Sequence, residues 1–239
     1  LLSFYKSYRA MVRAKVTRFM LADPNIDDAT RSNLEADYQR YIDLAESYTM
    51  FEQPFMLITH GVSGSGKSSI SRAVIKELGV IRIRSDVERK RLFGLNANDR
   101  SHSDLDAGIY TPEATEQTYQ RLIELADGII HSATPVIIDA TNLKRWQRDA
   151  LREQAEQLAV PALTLSFTAS EETLRRRVKK RHIEGDDASE AGLEVLEKQL
   201  QQQEAIVEEE SHYTVVINTD EENATQNLLN SIRRHLGLT

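Results

Sequence analysis

From residue 55 onward the chain alternates short, unbroken apolar runs with longer amphipathic segments. The runs cover 55–59, 80–83, 136–138, 162–167 and 214–217. They are too short for helices and mostly lack alternation, which is how strands buried on both faces read. Between them, helical spacing covers 67–78, 112–131, 144–159, 171–183, 189–209 and 221–236. Strands alternating with helices predict βαβ units, a parallel sheet and right-handed crossovers. Thr111-Pro112 reads as an N-cap followed by proline at the first helical position. Gln199, Gln201–Gln203 and Glu208–Glu210 give 189–210 a polar bias, expected to be a solvated helix face.

The first fifty residues differ. They contain no glycine and a single proline, Pro24. Tyr5, Tyr8, Val12, Val16 and Phe19 recur at helical spacing, as do Tyr38, Tyr41, Ile42, Ala45 and Tyr48. Asp23-Pro24-Asn25 separates the two runs. This predicts a helical hairpin over 1–53, ahead of an α/β domain over 54–239. One helix pair has too small a core to stand alone, so it is expected to dock on the following domain or on upstream sequence.

Composition removes several chemistries. The 239 residues are 40 % hydrophobic and 28 % charged, as in an ordinary globular protein with one full core. There is no cysteine, which excludes disulfides, Cys-ligated zinc, iron–sulfur clusters and thiol nucleophiles. The balance of 30 Lys+Arg against 37 Asp+Glu gives −7, which argues against broad nucleic-acid binding but leaves a local basic groove open. No stretch approaches the roughly 18–20 apolar residues of a membrane span. Lys6, Arg9, Arg13 and Lys15 interrupt the first apolar run, so it does not read as a signal peptide, and the expected location is the cytoplasm. The chain begins with Leu rather than Met, which reads as a processed chain or part of a longer one.

Gly61-Val62-Ser63-Gly64-Ser65-Gly66-Lys67-Ser68, followed by Ser69, matches the Walker A pattern, with a predicted strand before it and a helix after it. Backbone N–H groups of such a loop point at phosphate oxygens. Lys67 reaches the β- and γ-phosphates, and the Ser68 hydroxyl is a Mg²⁺ ligand. Asp139 ends an apolar strand and is thereby delivered to the carboxyl edge of the sheet, the Walker B position, which holds Mg²⁺, often through water. The alternative is an aspartate capping the next helix. Thr141 and Asn142 follow, as acceptor-binding candidates or ordinary loop residues.

Asp86 follows the second strand, where a carboxylate can orient an acceptor hydroxyl and take its proton; the alternative is that Ser85 or Asp86 simply caps a short helix. Arg89 shares its helical face and suits an anionic acceptor, whereas Lys90 and Arg91 read as solvated. Arg177 and Arg181, four apart, suit a closing lid that neutralises the transferring phosphoryl. Gly185, Asp186 and Asp187 suit a mobile turn. His102, Asp104 and Asp106 lie in a polar connection resembling an active-site flap. No histidine spacing suits a metal, and Trp146 reads as a packing residue.

The segments GVSGSGKSS (61–69), RSDVERKRLFG (84–94), GIYTPEATEQTY (108–119), VIIDATNLKRWQRDAL (136–151) and DDASEAGLEVLEKQ (186–199) together resemble P-loop kinases of the AAA_33 type. The resemblance implies a three-layer α/β fold with a five-stranded parallel sheet in order 2-3-1-4-5. It also implies ATP and Mg²⁺ at Lys67 and Ser68, Asp86 as base, and a lid near 171–190 carrying Arg177 and Arg181. Wider relatives include gluconate-type kinases, zeta toxins and polynucleotide 5′-kinases. The Asp86/Arg89 spacing and the stretch 139–143 are similar to the polynucleotide-kinase branch. The leading expectation is transfer of the γ-phosphoryl group to a hydroxyl of a small molecule. The alternatives are a nucleic-acid 5′-hydroxyl acceptor, or a nucleotide-binding regulatory module with weak ATPase activity. Residues 8–15 are similar to the end of the aminoglycoside-phosphotransferase-like domain that often precedes such kinases, so a linked upstream domain is expected.

Overall fold

The computed structural model describes residues 2–48, 54–97, 99, 108–184 and 192–238. His102, Asp104, Asp106, Gly185, Asp186 and Asp187 lie outside the described residues. The chain divides into two compact units, 1–52 and 53–239.

In the first unit, α1 (Leu2–Leu21) and α2 (Asp28–Ser47) form a hairpin. Asp27 caps α2 by accepting from the Thr30 amide at 2.7 Å, the usual way to satisfy a first-turn N–H. The face that seals the hairpin is not the large apolar stripe of the sequence. Small residues Ala10, Ala14 and Ala45 are buried, with Thr17 and Leu21, while Tyr5, Tyr8, Val12, Val16 and Phe19 are exposed. Alanines allow two backbones to approach closely where tyrosines would hold them apart.

The second unit is a three-layer α/β domain. β1 (Met56–His60), β2 (Ile81–Arg84), β3 (Val136–Asp139), β4 (Ala162–Thr168) and β5 (Thr214–Asn218) form one parallel sheet in the expected order β2-β3-β1-β4-β5. Leu57 lies opposite Ile137 and Leu163, and Ile58 opposite Ile138. Because side chains alternate along a strand, Leu57, Ile137 and Leu163 form one face. They pack with Ile70 and Val74 of α3 (Lys67–Leu78) and Leu228 and Ile232 of α10 (Ala224–Leu236). Ile58 and Ile138 form the other, against Leu122 of α5 (Pro112–His131) and Leu151 of α6 (Arg145–Gln157). Burying each such side chain contributes about 1.5–3 kcal/mol. Thr111 caps α5, accepting from the Ala114 amide at 3.2 Å, with Pro112 in its first turn.

Three shorter or peripheral helices frame the carboxyl edge: α4 (Ser85–Leu92), α7 (Glu171–Glu184) and α8 (Leu193–Gln202). The helix expected over 189–209 ends at Gln203, where the backbone becomes extended, and resumes only as α9 (Glu208–Ser211). The reason is a set of bonds that a continuous helix could not make. The Glu204 amide donates to Leu143 O at 2.8 Å, and its carboxylate accepts from the Arg145 amide at 2.6 Å. Nor is this stretch uniformly solvated, since Glu210 is fully buried. Among the described residues no helix is long and apolar enough to cross a membrane.

Candidate functional site

The loop 61–66 leaves β1 and delivers the chain into α3 at Lys67. Gly61 and Gly64 have φ of 138° and 82°. A Cβ on Gly61 would fall 2.5 Å from Phe167 O, and one on Gly64 2.8 Å from Leu174 O. Only glycine lets the loop lie directly on β4 and α7. Val62 anchors it among Leu143, Leu174, Val178 and Leu196. Gly66 precedes α3 without any side-chain cap, so the first amides of a twelve-residue helix are left to a ligand.

Lys67 is buried, and its Nζ donates to Gly61 O at 2.6 Å and Val62 O at 2.8 Å. Burial lowers its pKa to about 8; Asp139 and Asp86 pull it up, and Arg181 pushes it further down. Three residues named from the sequence, Asp86, Asp139 and Arg181, thus act electrostatically on Lys67. Ser68 Oγ lies 3.4 Å from Asp139 Oδ2. Ser63 and Ser65 are buried in the loop, whereas Ser69 is exposed.

Asp139 also has a partner that the sequence reading passed over. Arg82 of β2 donates through Nε at 2.8 Å, and through Nη2, to the same Oδ2. The signal was present in the alternation Ile81-Arg82-Ile83-Arg84. Such alternation marks a strand with one wet face rather than one buried on both faces, and β2 is indeed an edge strand.

Asp86 lies in the first turn of α4. The N-cap position of that helix is Arg84, not Ser85 or Asp86, and no side chain makes a capping bond there. Asp86 accepts from Arg84 Nη2 at 2.7 Å and from the Val87 amide at 2.9 Å, and it remains partly exposed. Arg89 donates to Ile109 O at 2.8 Å and to Thr115 Oγ1 at 3.3 Å, and sits over the Tyr110 ring. It therefore ties α4 to the start of α5. Lys90, read as solvated, is buried, with Nζ donating to Ala97 O at 3.3 Å.

Two predicted residues are engaged elsewhere. Asn142, expected to bind the acceptor, is fully buried at φ 45°. Its Nδ2 donates to Thr59 O at 2.6 Å, and its Oδ1 accepts from Tyr119 Oη at 2.7 Å. With both amide ends used inside the fold, it shapes the turn after β3 instead of facing a ligand. The same loop meets the phosphate loop where the Gly61 amide donates to Thr141 O at 3.0 Å. Arg177, expected over the transferring group, donates to Thr219 Oγ1 at 2.8 Å, Thr219 O at 3.0 Å and Gly64 O at 3.3 Å. It braces the loop backbone. Arg181 is the member of that pair whose charge is felt at Lys67.

Sequence reasoning also missed two braces. Gln199 of α8 accepts the Ser63 amide through Oε1 at 2.7 Å. Arg148 of α6 makes a buried double contact with Glu210, Nε to Oε1 at 2.6 Å and Nη2 to Oε2 at 2.9 Å, and donates to Asn142 O at 3.0 Å. Although burial pushes the Glu210 carboxyl up, the Arg148 bonds hold it below its ordinary value.

The α/β fold is similar to that of several solved structures. A gluconokinase from Sinorhizobium meliloti 1021 is 24 % identical, with TM-score 0.53, covering 78 % of this chain and 93 % of that one. Kti12 of Chaetomium thermophilum, solved in complex with ADP-AlF3, is 16 % identical with TM-score 0.56, covering 76 % and 98 %. In sequence, the chain is 30 % identical over 158 residues to the uncharacterized protein Rv2004c of Mycobacterium tuberculosis, covering 65 % of this chain. It spans 29 % of that relative's length. Residues 56–206 match the AAA_33 family, described as an AAA domain. They include the phosphate loop, both aspartates, the arginines of α7 and the Gln199 brace, and the chain belongs to that family.

Proposed function

We propose that the protein is an ATP- and Mg²⁺-dependent kinase that transfers the γ-phosphoryl group to a hydroxyl of a small molecule. The observation that carries this reading is the glycine-built loop with buried Lys67, beside which Ser68 Oγ and Asp139 Oδ2 lie 3.4 Å apart, with the charge of Asp86 felt at Lys67. A protein that only holds a nucleotide has use for Lys67 and the loop, but not for that second carboxylate.

Phosphoryl transfer is mainly positioning and charge stabilisation. The amides of 61–69 and the start of α3 cradle the phosphates. Lys67 exchanges its two carbonyl partners for β- and γ-phosphate oxygens. Asp86 orients the acceptor hydroxyl and takes its proton, with Arg84 holding its carboxylate. Arg181 faces the charge that spreads over the transferring group. Ser68 Oγ and Asp139 are hard oxygen donors 3.4 Å apart, which fits Mg²⁺. They would hold the ion, which would supply positive charge against that of the phosphates.

The polynucleotide alternative leaned on Arg89 and Asn142, and both are engaged within the fold. A small-molecule acceptor is therefore favoured. The test is transfer from γ-labelled ATP to a panel of sugars, nucleosides, antibiotics and 5′-hydroxyl oligonucleotides, with calorimetric titration of ATP·Mg²⁺ alongside. Lys67→Ala should lose about 2–4 kcal/mol of transition-state stabilisation together with nucleotide affinity. Equal ATP·Mg²⁺ binding by both proteins would sink the assignment of the loop, and labelling of oligonucleotides alone would replace the acceptor class.

A further inference from the structure

Arg82 and Arg84 lie two apart on the edge strand β2, so their side chains leave the same face. Each arginine takes a different carboxylate. Arg84 pairs with Asp86, beside the acceptor position, and Arg82 reaches along the strand to Asp139. The second pair is the more enclosed, with side-chain exposures of 17 % and 5 % against 25 % and 22 %.

Both Arg82 donors and the Ser68 hydroxyl meet on one oxygen, Asp139 Oδ2. That oxygen and that hydroxyl are the two protein atoms assigned above to the divalent cation, and this inference rests on that reading. A carboxylate so enclosed needs a counter-charge, and the Arg82 guanidinium supplies it. Two N–H groups on Oδ2 leave it a poorer donor to a metal, and two cations at one oxygen repel each other.

We propose that Arg82 is a built-in counter-ion that competes with the divalent cation for Asp139. The cation enters by displacing the guanidinium. The nucleotide-free protein is thereby kept from holding metal by itself, and metal and nucleotide phosphates enter together. Arg82 is a positioning residue in this scheme, acting through Asp139 rather than on the phosphoryl group.

The probe is Mn²⁺, with free ion read by electron paramagnetic resonance, added to the full chain without nucleotide. Wild type should bind weakly and Arg82→Gln at least about tenfold more tightly. Arg82→Lys, which keeps a cation at the position, should stay nearer wild type. Adding Asp139→Asn to Arg82→Gln should erase the gain. Equal affinity in wild type and Arg82→Gln overturns the competition. If Asp139→Asn still weakens Mn²⁺ binding in the presence of ADP, the cation assignment survives that result. If Asp139→Asn leaves Mn²⁺ binding with ADP unchanged, the cation assignment falls and the competition with it. Should Arg82→Gln not fold, a crystal structure of wild type with Mg²⁺ and a non-hydrolysable triphosphate decides the matter. The guanidinium should have left Asp139 Oδ2, and a retained double contact overturns the proposal.

Discussion

The two flanks of the phosphate loop are held in opposite ways. On the α7–α8 side, Val62 is packed among aliphatic side chains, Gly64 rests on Leu174, Arg177 is spent on backbone and Thr219, and Gln199 takes the Ser63 amide. On the β2–β3 side, Lys67, Asp139, Arg82, Asp86 and Arg84 are charged groups partnered by one another or by loop carbonyls. The first flank fixes the geometry before any ligand arrives, which is how electrostatic preorganisation avoids reorganisation during reaction. The second keeps provisional partners that a phosphate, a cation or an acceptor hydroxyl can replace. Division of labour between them is the lesson: one flank is held by apolar packing and by bonds to loop backbone, the other by pairs of opposite charge.

The largest test of this contrast lies on the exchangeable flank. Asp86→Asn should preserve the fold and leave nucleotide affinity within a few-fold of wild type. It should slow single-turnover transfer by about 10²–10⁴, the usual range for a lost general base. Unchanged transfer would reduce Asp86 to a first-turn helix residue held by Arg84.

A buried charge pair outside both flanks, Arg148 with Glu210, should respond in stability instead. Glu210→Gln leaves the buried Arg148 guanidinium without its counter-charge, so thermal or denaturant unfolding should report a loss of about 3–5 kcal/mol. Replacing both partners by apolar residues of similar volume should restore much of that loss. If the single variant were neutral, the brace between α6 and α9 would not matter to the fold.

A smaller effect follows from Lys67. Its pKa of about 8 lies below the ordinary lysine value of 10.5 because burial disfavours the ammonium, whereas bound phosphates favour it. Above about pH 8 the free protein must therefore take up a proton to bind nucleotide, and affinity should fall about tenfold per pH unit. Calorimetry in two buffers of different ionisation heat should show uptake approaching one proton near pH 9 and little near pH 7. The same linkage makes the unliganded fold gain stability from pH 8 toward 10.5, where the unfolded chain holds more protons.

Much of this architecture is legible in the sequence because it follows local rules. Apolar runs place the strands, Thr111-Pro112 starts α5, and the glycine spacing of 61–66 places the loop. What stayed hidden is pairing across long stretches of chain. Glu208–Glu210 look like any solvated acidic run, yet Glu210 is buried because Arg148 lies opposite it in space. Gln199 sits in a glutamine-rich helix, and only the packing of Leu196 against Val62 turns it toward the loop. Lys90 and Arg82 share the difficulty, since a buried cation and a surface cation have the same letter. The large apolar stripe of α1 misleads in the other direction, because close approach of the two helices selected alanines rather than the bulkiest side chains.

The braces also set an order of events during synthesis. Gly64 receives its bond from Arg177, 113 residues further along, and Ser63 donates to Gln199, 136 residues further along. As the chain leaves the ribosome, the loop, rich in glycine and serine, emerges before the elements that brace it. Its shape waits for α7, α8 and finally Thr219. Nucleotide therefore cannot template the early stages of folding, and contacts of such long sequence separation form slowly. The site matures last, when nearly the whole domain has been made, so a nascent or prematurely terminated chain carries the kinase signature without a formed site.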